Sequence, residues 1–80
     1  MPLFYIDLHD GTNFVRDTQG FDLPDITAAQ ARLVQVMRRV AQLLDAVTDR
    51  QDYLAIVRDQ NGKVVLRATL TLDLEEVGSV

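Results

Sequence analysis

Eighty residues with 8 basic and 12 acidic side chains, 9.0 kDa and a net charge of −4, describe one small acidic domain. A chain of that mass exposes roughly 4,900 Å² folded against roughly 13,000 Å² unfolded, so about 63% of its surface is available for one modest core and no second domain. No residue is Cys, which excludes disulfides, thiolate nucleophiles, zinc–thiolate sites and iron–sulfur clusters.

The 48% hydrophobic content is too high for a disordered chain at this charge. No apolar run approaches the ~18 residues of a membrane helix. No basic-then-apolar segment opens the chain, so the cytoplasm is the expected compartment.

Leu3 to Leu8 reads as a strand, with Phe4, Ile6 and Leu8 on one face and Tyr5, Asp7 and His9 on the other. Asp10-Gly11 marks a turn, since Gly accepts the positive φ of tight hairpins. Asn13 to Asp17 follows as a shorter strand. Phe21-Asp22-Leu23 is a brief extended piece, held open by Pro24.

A helix then starts at Asp25 or Thr27, both N-cap types, and Thr27 to Gln30 has capping-box spacing. No Gly or Pro intervenes before about Thr48. At ~21 residues this helix would be ~32 Å long. Leu33, Met37, Val40, Leu44 and Val47 form one stripe, flanked by Val36 and Leu43 on one side and Val34 and Ala41 on the other. The apolar arc spans about 180°, wider than the ~100° a surface helix needs.

A hairpin closes the chain: Tyr53 to Arg58, a turn at Asn61-Gly62, and a long strand from Lys63 to Leu74. A two-residue loop there pairs Val57 with Leu66, Ala55 with Ala68 and Tyr53 with Leu70; a loop with a bulge would change that pairing. Residues 75–80 read as a frayed tail. The expected fold is α+β: a two-layer β-β-α-β-β domain with an antiparallel sheet and one long amphipathic helix across one face.

These residues resemble a group of short uncharacterised bacterial proteins. The resemblance rests on Met1-Pro2, an aromatic strand and Asp10-Gly11, then Asp17, Gly20 and Leu23-Pro24-Asp25. The Ala-rich helix at Ala28, Ala29 and Ala31, the turn from Asp59 to Gly62 and Val64-Val65-Leu66 complete it. It covers about residues 1–70 and implies the fold, with no activity, substrate or cofactor. The chain departs from the group where a Pro and an aromatic usually interrupt the last strand; here Thr69-Leu70-Thr71-Leu72 runs on. A shorter similarity, over residues 4–31, is to small antitoxin domains.

Chemistry is sparsely signalled. Asp7 and His9 share a strand face, but a metal wants three or four ligands and an acid–base pair wants a third group and a pocket. No catalytic, cofactor-binding or metal-binding residue is therefore assigned. The Asp residues sit mostly at turns and caps, where they bond local backbone.

The charge is uneven. Residues 1–25 carry −4, residues 26–48 carry +2 and residues 49–80 carry −2. Arg32, Arg38 and Arg39 make the helix the basic element of an acidic chain. That face could meet phosphates or an acidic partner, although the net charge opposes nucleic acid.

The stronger signal is surplus apolar surface. Leu54, Ile56 and Val65 lie opposite the expected core, and the helix flank at Val34 and Ala41 has no evident cover. Such patches mark association surfaces, and symmetric homodimers are the commonest soluble oligomers. The expected function is a non-enzymatic interaction module, a homodimer or the binder of an unidentified protein. The alternative is an antitoxin-like or nucleic-acid-associated regulator using the basic helix face.

Overall fold

The computed structural model describes all residues except 1, 12, 46–48 and 79–80. In chain order it contains β1 (Leu3–His9), β2 (Phe14–Val15), β3 (Phe21–Asp22), α1 (Ile26–Ala41), β4 (Arg50–Asp59) and β5 (Val64–Asp73). The fold is α+β. All strand pairings are antiparallel, in the order β2-β1-β4-β5, with β3 pairing the same edge of β1 as β2. Among the described residues five strands and one helix thus give β-β-β-α-β-β; the brief extended piece at Phe21-Asp22 is a short third strand.

The alternation of β1 places Phe4 and Ile6 in the core, where they meet Ala55 and Val57 of β4 and Ala29 and Leu33 of α1. Ala29 and Ala55 have no exposed surface, so the helix sits close on the sheet. The Asp25 carboxylate caps the helix, accepting from the Ala28 amide at 2.9 Å, one residue before the first helical position. The Thr27 capping box is not used.

The helix is shorter than its uninterrupted sequence suggests. It ends at Ala41, after 16 residues, instead of running to Thr48. Gln51 supplies a physical reason. Its side-chain amide donates to the Asp45 carbonyl at 2.6 Å and its oxygen accepts the Asp45 amide at 3.1 Å. Both backbone groups that would continue the helix are bound to the start of β4. The expected stripe member Val47 lies outside the described residues.

The β4–β5 register is the expected one: Val57 opposite Leu66, Ala55 opposite Ala68 and Tyr53 opposite Leu70. The route to it differs. Asp59 donates its amide to the Lys63 carbonyl at 2.8 Å, so the loop spans residues 60–62, with Gly62 at φ +84°. One residue more in the loop is offset by a bulge on β5, where Arg58 pairs with Val64 and Val57 with Leu66. The bulge also corrects the face of Val65. That residue packs against the core cluster instead of lying opposite it.

Candidate functional site

Four features carry polar or exposed apolar groups that could act. The first is a buried polar cluster on the sheet face away from the helix. Asp7 is 1% exposed, and Arg58, on the neighbouring strand, grips it with both arms of its guanidinium, Nε to Oδ2 at 2.6 Å and Nη2 to Oδ1 at 3.1 Å. Arg58 also donates to the Asp17 carbonyl at 3.1 Å and lies over the Tyr5 ring, 5.0 Å from its centre. The Asp17 amide donates to Asp7 Oδ1 at 2.9 Å.

Asp17 in turn fills the gap between the two short strands. Its Oδ2 accepts the Ile6 amide at 3.1 Å, and its Oδ1 accepts those of Gln19 and Gly20, each at 3.0 Å. Gly20 has φ +77°, and a Cβ there would come within 3.0 Å of Tyr5 Cε1 and 3.2 Å of the Phe4 carbonyl. The turn therefore presses against β1 in a way only Gly permits.

Burial acts against ionisation of Asp7. It is outweighed by the Arg58 hydrogen bond, the Asp17 amide and the positive charges of Arg58 and Arg16, which hold the carboxyl below its ordinary 3.8. Asp17 follows the same pattern: burial is overcome by the amides of Gly20, Ile6 and Gln19. Every oxygen in this cluster is committed to holding strands together. His9, which shares a strand face with Asp7, is exposed and tilted against Phe14, ring centres 6.0 Å apart. Among the described residues no group of three or more His, Asp or Glu is placed to hold a metal.

The second feature is a mostly apolar groove of about 380 Å³ between the helix and β5, formed by Leu33, Val34, Met37, Arg38 and Ala41 above Ala68, Thr69 and Leu70. Val34 is 47% exposed in the middle of the helix. β5 ends the sheet, and among the described residues no strand pairs with its outer edge.

The third is a basic groove of about 430 Å³ on the other helix flank, lined by Phe21, Gln35, Val36 and the three arginines Arg32, Arg38 and Arg39. Arg32 lies over Phe21, 4.9 Å from the ring centre. The fourth is a shallow depression of about 290 Å³ on the far sheet face, where Leu54 and Ile56 adjoin Asp7, His9 and Phe14.

The five apolar residues expected to form one interface are therefore dispersed. Val34 and Ala41 share the groove beside β5, Leu54 and Ile56 are half-buried on the opposite face, and Val65 borders the core. The three arginines do converge.

A family model described as Domain of unknown function (DUF6894) matches residues 3–71. The chain belongs to that family. No curated protein and no solved structure matches it. The matched DUF6894 span begins with β1 and closes within β5, so the Asp7–Arg58–Asp17 cluster and the grooves on both helix flanks all fall inside it. No helix among the described residues is long and apolar enough to cross a membrane.

Proposed function

We propose that this DUF6894 chain is a non-enzymatic interaction module of the bacterial cytoplasm that self-associates as a homodimer. The surface it uses is the open β5 edge and the apolar helix flank beside it. The observation that carries this reading is the ten-residue β5 edge, which no strand covers among the described residues, with the exposed Val34 and Ala41 beside it. The chain exposes 5,958 Å², about 1,100 Å² more than the roughly 4,900 Å² of a typical folded monomer of its mass. The exposed residues 74–78 contribute to that excess, and so do Phe14, Val15, Leu43 and Val34, each 47–62% exposed.

Light scattering across a concentration series tests it. The expected particle has twice the 9.0 kDa chain mass, with a melting temperature that rises with protein concentration. A constant 9.0 kDa particle up to millimolar chain overturns the reading.

The basic groove favours a second reading, a regulator that meets the phosphates of nucleic acid. Among the described residues no carboxylate lies within ion-pair distance of Arg32, Arg38 or Arg39, so all three charges are open to an anion. Reversing Arg38 and Arg39 to Glu should then abolish retention on heparin or DNA at low salt. Unchanged retention excludes this reading.

A further inference from the structure

Resting on the self-association reading above, we infer that the two copies join β5 to β5, antiparallel, about a two-fold axis through Leu70. The joint makes one continuous sheet with both helices on the same face.

The two edges of the sheet are treated differently. The β1 edge is covered by β2 and β3, and the gap left between them is closed by the Asp17 carboxylate on the Ile6 amide. The β5 edge is ten residues long and has no Pro; its single bulge lies at one end, at Val65. An edge so long and so little protected is a template for another strand.

The bulge and the strand end fix the register. Beyond Val65 the regular stretch runs from Leu66 to Leu74, whose amide still donates to the Asp49 carbonyl. Its centre is Leu70. Because Leu74 bonds to β4, antiparallel alternation turns the backbone groups of Leu66, Ala68, Leu70 and Leu72 inward and those of Arg67, Thr69, Thr71 and Asp73 outward.

With the axis at Leu70, those outward residues exchange hydrogen bonds in pairs, Thr69 with Thr71 and Arg67 with Asp73. Each Arg67 thereby meets the Asp73 carboxylate, which Arg50 of the same chain approaches to 3.6 Å from the other side, twice per dimer. Moving the axis to Thr69 sets Arg67 against Thr71 and Asp73 against Val65. Moving it to Thr71 sets Arg67 against Glu75, which lies past the strand end. On the helix side the partner's Leu70 and Leu72 face Leu70 and Ala68, at the mouth of the groove under Val34 and Ala41. Charge, register and groove select the same axis.

The chain has no Cys, so single-cysteine variants report the axis directly. At Leu70 the two copies form a non-hydrogen-bonded pair with Cα atoms ~4.5 Å apart, within disulfide reach. Thr69 and Thr71 lie ~7–8 Å from their own symmetry mates, beyond it. Leu70→Cys should cross-link fastest under mild oxidation. Arg67→Asp should raise the dimer dissociation constant about tenfold, since two attractive pairs become repulsive. Adding Asp73→Arg should restore it once Arg50, directly opposite Asp73 on β4 and 3.6 Å from it, is also changed to Gln to remove the like charge. A dimer that links fastest through Thr69→Cys or Thr71→Cys, or ignores Arg67→Asp, overturns this joint and leaves self-association standing. A monomer at every concentration overturns both.

Discussion

Replacing Asp7 by Ala is expected to destabilise the protein by about 3–5 kcal/mol, because it leaves the Arg58 guanidinium nearly buried without its counter-charge. A domain of this size holds about 4–12 kcal/mol in total, so the loss removes at least about a quarter of the stability and, at the low end of that range, all of it. The loss exceeds that of a hydrogen bond because three elements share the cluster: β1 through Asp7, β4 through Arg58, and the segment before β3 through Asp17. The double change of Asp7 to Leu and Arg58 to Met should cost less than Asp7→Ala alone, since apolar side chains of similar volume carry no desolvation cost. Urea midpoints followed by circular dichroism measure both. An Asp7→Ala variant within about 1 kcal/mol of the parent would show that the ion pair does not hold the sheet together.

The same cluster dictates an acid response. Asp7 and Asp17 both have carboxyl groups held below the ordinary 3.8 in the folded chain. A depressed folded value means the unfolded chain binds protons first as pH falls. The stabilisation is therefore whole above the unfolded value and is lost as pH drops through the folded ones. The urea midpoint should be flat between about pH 7 and 5 and fall below about pH 4, with a shallower acid limb in the Leu–Met double variant. An equally steep limb there would assign acid sensitivity to other carboxylates.

What could be read from the chain alone follows the range of each interaction. The Asn61-Gly62 turn and the alternation after it specify the β4–β5 register, because a hairpin's pairing is set within a few residues. It even survives a longer loop, the bulge at Val65 absorbing the difference. Asp25 marks the helix start through its own third neighbour. The helix end is not local: Gln51, arriving from β4, takes both backbone groups of Asp45.

The pairing of β1 with β4 is also distant, and so is the bond from Arg58 to Asp7, 51 residues apart. Alternation placed Asp7 on a polar, solvated face beside Tyr5 and His9. That face is correct, but the segment around Asp17 folds over it and removes the water. The hint was a lone carboxylate between Ile6 and Leu8 on a strand whose partner carries an Arg on the matching face. The groove beside β5 was half legible. The 180° arc foretold an exposed flank at Val34 and Ala41, while the edge it adjoins depends on a strand order no local signal encodes.

Neighbouring residues on the helix should separate folding from association. Leu33 is nearly buried in the core cluster, and truncating it to Ala should cost about 2–5 kcal/mol through lost burial and the cavity left between helix and sheet. Val34 is one position round the helix, exposed above the groove that β5 borders. Changing it to Asp should alter monomer stability by no more than about 0.5 kcal/mol. The introduced carboxylate stands one turn before Arg38, an i,i+4 arrangement that supports the helix. In a dimer, however, it would place an unpaired charge against the apolar joint, so the variant should stay folded and shift to monomer mass in light scattering. The contrast follows from where the two residues sit: Leu33 is in the core cluster, and Val34, one position round the helix, is exposed beside β5. A folded, fully dimeric Val34→Asp variant would remove the helix flank from the interface, and a Leu33→Ala variant as stable as the parent would remove that residue from the core.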